Sequence, residues 1–536
     1  MGQLLAASAA LLVLVATATA SAAPVDLQTL DQIADAGFNH GEAVETAEYL
    51  SDQIGARLTN SPSMRKAEAW AQKRFAGMGL KNVHAEGFEF GRGWWVEAAH
   101  VRMVAPRPLD LAAIPVAWSP PTNGAVTAPI VLAPIRSEAD FAQYHGKLKG
   151  RIVLSTPPSA PRDQVEPPFE RFTDADLAKM DAYTEPHYDP DLAMRRAEIY
   201  ALGKKLDDFL AAEGAVARLG KSRSDARRLH GEGSGYRVAD PPKIPAFEVG
   251  AEDYSRLVRL ASVGEVKVEL ESRVHYEGAD TKAYNILAEL PGTDPRAGFV
   301  MAGAHLDSWV AGDGAADNGA GVAVVMEAAR ILSSLGLHPK RSIRFALWSA
   351  EEQGLLGSTA YVATHFAHRP PGVGPAPPYM ANTYPIATLP EYGQMHGYFN
   401  LDMGSGKIRG VYAEGNFAAM PMLKEWLAPL APLGVYGPVA GATGSTDHVG
   451  MVRVGLPAFQ FVQDPLDYDS RVHHTDLDTF DHLRPDDLRQ AAVVLASVLL
   501  DAAESDVPLP GNALPTEPRS TDPFTVPDET PIVPIR

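Results

Sequence analysis

The segment GAHLDSWVAGDGAADNGAG carries an imidazole at His305 and carboxylates at Asp307 and Asp317. Alternate residues of a strand share a face, so His305 and Asp307 project to the same side. A metal-ligating histidine needs its second ring nitrogen fixed by an acceptor, and Asp307 is placed to supply one. Asp317 follows in a Gly/Ala-rich loop just ahead of a helical pattern, where small residues let backbone approach an ion closely. Taken alone, the segment equally suits a solvent loop in which Asp317 caps the helix.

Four further segments carry polar groups of the same kind. WSAEEQGLLGS sets Glu351 and Glu352 side by side after an apolar run. Two adjacent buried carboxylates are costly unless cations offset them. Neighbouring acids can divide the labour, Glu352 as a ligand and Glu351 facing a bound water; a solvated strand end is the plain alternative. FNLDMG places Asp402 in a similar position, and SRVHHTDLDTFDHL offers His473 and His474, a pair that also suits a surface turn. GSTDHVG adds Asp447 and His448, read either as groups that contact substrate or an oxyanion, or as a structural hydrogen-bonded pair. Imidazole and carboxylate donors without thiolates suit zinc or a related divalent ion.

These residues need a scaffold that brings them together. From Ala283 onward, YNILAELPG, GFVMAGAHLD, SIRFALWSAEE, HGYFNLDMG and LPAFQFVQD read as strands. AGVAVVMEAARILSSLG and LRPDDLRQAAVVLASVLLDAA read as helices. Strands alternating with helices predict an α/β domain with a largely parallel sheet. In such sheets ligands bind beyond the carboxyl ends of the strands. His305, Asp307, Glu351, Glu352 and Asp402 all fall there.

Upstream, SPSMRKAEAWAQKRFAGMGLKN predicts a helix capped by Ser61 or Ser63 and closed by Gly77 and Gly79. The next stretch, VHAEGFEFGRGWWVEAAHVRMV, alternates as strands do. Residues 119–280 read as an inserted domain with its own short strands and a helix over AMRRAEIYALGKKLDDFLAA. Within it, PRDQVEPPFERFTDADLAKMDAYTEPHYDPD is expected to be exposed. The predicted organisation is a discontinuous domain over 23–118 and 281–505, the insert at 119–280, and a Pro-rich extended tail from 506 to 536.

Residues 1–22 read as a signal peptide, with an apolar stretch from Leu4 to Ala16 and an Ala20-Ser21-Ala22 cleavage pattern, although no Lys or Arg precedes the apolar stretch. The chain has 536 residues and a formal net charge of −19, which opposes nucleic acid and anionic lipid as partners. It has no cysteine, which excludes disulfides, thiolate metal sites and a cysteine nucleophile. No span after the signal segment is apolar enough to cross a bilayer. A homodimer is compatible with the sequence.

The order H-x-D, D-N-x-x-G, E-E, D and a late His-Thr resembles the co-catalytic zinc aminopeptidase family, which includes bacterial leucyl aminopeptidases. The insert and QDPLDYDSRVHHTDLDT are most similar to its carboxypeptidase Q-like branch. The resemblance runs over residues 40–500. It implies a mostly parallel mixed sheet sandwiched by helices, with a protease-associated-like insert. It also implies two zinc ions: one on His305, Asp402 and a bridging Asp317, the other on Asp317, Glu352 and His474. Asp307 would orient His305, Asp478 would lie close by, and the Asp317–Asn318 peptide would be cis. Glu351 would be the general base in hydrolysis of a peptide substrate. The same fold also occurs in single-zinc glutaminyl cyclase-like transferases and in non-catalytic receptor ectodomains. The full set of ligand positions disfavours both.

Overall fold

The computed structural model describes residues 25–159, 167–183, 192–370, 384–444, 446–514 and 516. The expected signal peptide lies outside the described residues. An eight-stranded sheet is built from β1 (Lys81–Glu89), β2 (Lys282–Leu290), β3 (Phe299–His305), β4 (Ser342–Trp348), β5 (Met395–Asn400), β6 (Ile408–Tyr412), β7 (Gly437–Val439) and β8 (Ala458–Gln463). Their order is β1-β2-β4-β3-β5-β8-β6-β7. The central four, β4, β3, β5 and β8, run parallel. β1 and β2 extend one edge in antiparallel fashion, and β6 lies antiparallel to β8 at the other. The sheet is therefore mixed with a parallel centre, as the strand–helix alternation predicts.

Every residue of β3 is buried, which explains its unbroken FVMAGAH pattern: both faces are covered and alternation has no role. One face carries helices α1 (Leu27–Phe38), α2 (Pro62–Gly77), α3 (Ala320–Ser334) and α5 (Pro485–Glu504), packed through residues such as Ile33, Phe75, Val325 and Leu495. The other carries α4 (Leu356–His365), whose Tyr361 and Val362 pack with Met301 and Trp348. Of the two expected caps for α2, Ser61 is used: its hydroxyl accepts from Met64 N at 3.1 Å. The helix closes at Gly77, and Gly79 follows at φ 81°.

A second eight-stranded sheet differs from the expected insert in extent. Its longest pairing joins Gly93–Ala105 to Lys267–Glu277, so its strands begin well before residue 119. Pattern alone cannot show which sheet an alternating strand joins, since both sheets offer a half-buried place. The helix Ala251–Ala261 packs on one side and Leu192–Ala212 on the other. The segment expected to be exposed is partly anchored instead. Glu170 and Leu466 pair as an isolated bridge, and Leu177 is fully buried against Tyr412, Val439 and Val462. The start of the tail is anchored too. Leu509 is buried, and Asn512 N donates to Gly455 O. Most of the tail, from residue 517, lies outside the described residues. Among the described residues no helix is long and apolar enough to cross a membrane.

Candidate active site

The carboxyl ends of β3, β4 and β5 deliver His305, Glu351 with Glu352, and Asp402 to one place. His305 closes β3 opposite Trp348, the last residue of β4, so the turn after β4 starts beside it. His305 Nε2 lies 3.1 Å from Asp402 Oδ1 and 3.2 Å from Asp317 Oδ1. His474 Nε2 lies 3.3 Å from Asp317 Oδ2 and 3.0 Å from Glu352 Oε2. The two oxygens of Asp317 thus face two different histidines. Donor atoms of His305, Glu351 and Asp402 lie within 4.8 Å of one another, as do those of His305, Asp317 and Glu352.

The loop holding Asp317 is fixed from below. The buried Arg57 donates to the carbonyls of Leu306 at 2.8 Å, Asp313 at 2.8 Å and Gly314 at 2.7 Å. Gly314 has φ 65°, and a Cβ there would lie 2.4 Å from Ser308 Cβ, so glycine is required. Asp478 accepts from Ala316 N at 2.6 Å and Asp317 N at 3.1 Å. These two bonds hold the loop in place. The Asp317–Asn318 peptide is cis.

Asp307 touches both His305 and the turn after β4. The near partner of His305 Nδ1 is the Asp307 main-chain carbonyl, at 2.9 Å, whereas the carboxylate is 3.7 Å away. That carboxylate instead accepts from Glu351 N at 3.2 Å and from Thr59 Oγ1 at 3.1 Å. It fixes the turn bearing Glu351. Asp447 and His448, read either as substrate or oxyanion contacts or as a structural pair, are both 0% exposed. His448 Nε2 lies 3.1 Å from Glu414 Oε1, an internal pair beneath the site. His473 is near too, with Nε2 3.8 Å from Asp317 Oδ2, but its ring stacks on Tyr468 and only His474 also reaches Glu352.

Electrostatics mark the cluster as short of positive charge. Burial pushes the Glu351 carboxyl well above the usual carboxylate range, Glu352 up to about 7 and Asp447 up to about 8. Burial opposes the charged form of His305, yet Asp402 and Glu351 lift its pKa well above the ordinary value. Glu352 does the same for His474. Asp317 Oδ2 and Glu352 Oε1 are buried and accept no hydrogen bond. An array of buried oxygens without donors, converging with two imidazoles, fits divalent cations bound between them.

Glu232 belongs to the site and is absent from the sequence reading. Its Oε1 lies 2.7 Å from His474 Nδ1, and its carboxylate takes two hydrogen bonds from Arg223, at 2.7 and 2.6 Å. Burial raises its pKa, but His474 and Arg223 more than offset this and hold it well below the usual range. No local motif links it to His474, 242 residues away in the chain. The neighbouring backbone is docked as well: Leu229 N donates to Asp476 Oδ1 at 3.0 Å, and Asp476 N to Leu229 O at 2.9 Å.

Parallel strands bring His305, Glu351, Glu352 and Asp402 to their carboxyl ends, where such sheets bind ligands. Residues 285–499 match the model of Peptidase family M28, so this stretch is a peptidase M28 domain. It is 26% identical to carboxypeptidase Q of Rattus norvegicus over 88% of each chain. Its structure is similar to that of a Peptidase M28 precursor from Shewanella amazonensis, with a TM-score of 0.65 and 26% identity over 91% of this chain and 99% of the other. It also shares the fold of a zinc aminopeptidase from Bacillus subtilis, at a TM-score of 0.55 and 20% identity, over 86% and 95% of the two chains.

Proposed function

We propose that the protein is an exported di-zinc exopeptidase that hydrolyses dipeptides or short peptides, with the second sheet as a protease-associated-like insert. The observation that carries this reading is Asp317, whose two oxygens face His305 on one side and His474 on the other. One position would be held by His305, Asp402 and Asp317, the other by Asp317, Glu352 and His474. Ions held there supply Lewis acidity and lower the pKa of bound water. Glu351, beside His305 and Asp402, takes the proton of the attacking water and returns it to the departing amine. Asp307 holds Glu351 in place through its main-chain N–H. Glu232 fixes the ring orientation of His474 through Nδ1. Export rests on the apolar N-terminal segment and its small-residue cleavage pattern.

Purified protein is expected to carry two zinc ions per chain and to release amino acids from dipeptides. Chelation abolishes the activity and zinc restores it. Full activity after verified metal removal would refute the mechanism. One zinc per chain without hydrolysis of any dipeptide or aminoacyl amide would favour a cyclase-like transferase instead.

Replacing Glu232 by Gln removes the acceptor charge from His474 and is expected to weaken zinc affinity at that position about 10- to 100-fold. Competition with a graded series of chelators measures it. An affinity equal to wild type would show that Glu232 serves only to dock the second sheet.

A further inference from the structure

A cavity of about 650 Å³ opens from the Glu352–His474 end of the cluster toward the second sheet, and Arg218 lines its wall there. Arg218 lies on the strand Ala217–Lys221, whose Ala217 and Leu219 point into the core under the helix Ala251–Ala261. Alternation turns Arg218 to the opposite side, into the cavity.

Among the described residues Arg218 has no carboxylate in ion-pair contact. Asp207 is the carboxylate whose charge acts on it, but the Asp207 oxygens accept from Lys243 N at 2.7 Å and Ile244 N at 3.4 Å. Lys204, on the same wall, is already paired with Asp208 and Asp240. Burial lowers the guanidinium pKa, the sign of a charge held away from water without full compensation.

Two more donors on cavity-lining side chains have no acceptor. Trp309 Nε1 and Gln353 Nε2 are buried and make no hydrogen bond. Apart from Glu352 Oε1, which belongs to the proposed metal end, the unmatched groups along this path are donors. They suit a ligand that brings acceptors only: peptide carbonyl oxygens near Trp309 and Gln353, then an anion at Arg218. Arginine favours a carboxylate here, because its planar fork matches the two oxygens.

We propose that this cavity binds the carboxylate-bearing end of the peptide substrate, with Arg218 as the specificity-determining partner of that carboxylate and the scissile bond at the Glu352–His474 end. The proposal rests on the peptidase reading above and adds its substrate class: short peptides ending in a free carboxylate. An α-carboxylate and an acidic last side chain share this chemistry.

A panel of di-, tri- and tetrapeptides separates these cases, each made as the free acid, as the C-terminal amide, and as an amide ending in Asp. Wild type is expected to lose about 10- to 100-fold in kcat/KM on amidation at the length that reaches Arg218, mostly through KM. Arg218→Gln is expected to lower the free-acid rate by the same factor and to treat acid and amide alike. Arg218→Lys, which keeps the charge, recovers part of the preference. Recovery of rate by the Asp-terminated amide would assign the site to an acidic side chain. Equal rates for acid and amide in wild type overturn the proposal while leaving the peptidase reading intact. So does a preference that persists in a folded Arg218→Gln, checked by its melting temperature. Failure of wild type to cleave any member of the panel overturns both.

Discussion

Replacing Glu351 by Gln is expected to leave both metal positions filled and to cut kcat by about 10²- to 10⁴-fold, the span of a lost general base. Glutamine has the same shape, and the bond from residue 351 N to Asp307 Oδ1 involves only its main chain, so the turn after β4 stays in place. Glu351 is buried beside His305 and Asp402, close enough to sense both, yet the proposed ligand sets do not use it. A loss of turnover without loss of zinc separates a proton carrier from a ligand. Turnover and zinc content both at wild-type level would assign the base elsewhere. Turnover and zinc falling together would make Glu351 a ligand.

Asp317→Ala should be more damaging to the metals themselves. It deletes the two oxygens that stand 3.2 Å from His305 Nε2 and 3.3 Å from His474 Nε2, so neither position keeps its set. Zinc content is expected to fall from two per chain toward none, and activity with it. Stability gives a second signature. Bound metal stabilises the folded state by mass action, and that increment in melting temperature should vanish. The metal-free variant should also melt below metal-free wild type, because His305 and His474 both lose a buried ion-pair partner. Retention of two zinc ions per chain would show that Asp317 does not bridge.

The parts of the site legible in the sequence are those tied to strand ends. His305, Glu351, Glu352 and Asp402 each follow an apolar run, and a parallel sheet gathers such ends by its topology. Asp317 and His474 sit in loops; the small-residue loop points to Asp317, and the family pattern is the main signal for His474. The role of Asp307 was half legible: spacing puts it beside His305, but a rotation of the carboxylate toward Glu351 N leaves the carbonyl as the nearer acceptor. Asp447 and His448 look functional as a polar pair, because sequence cannot show that both are fully enclosed. Arg57 and Glu232 were illegible for one reason. Each acts across a long chain separation, Arg57 on the loop at 313–314 and Glu232 on His474. The extent of the second sheet was illegible because Gly93–Ala105 alternates like any half-buried strand and finds its partner at Lys267–Glu277.

The docking of Leu229 and Glu232 on the His474 loop bears on how small a working unit can be. The stretch matched by the family profile, 285–499, holds every proposed ligand, which makes it a tempting minimal fragment. Trimmed to that stretch, the chain would lose the carboxylate that steadies His474, the Arg57 clamp under the Asp317 loop and the Thr59 hydroxyl on Asp307. It would also expose β2, a strand that now pairs along its length with β1. The proposed ligands are local to one domain, but the groups that hold them in place come from segments outside it. Grafting or truncation that respects motif boundaries would cut through the supports of the site.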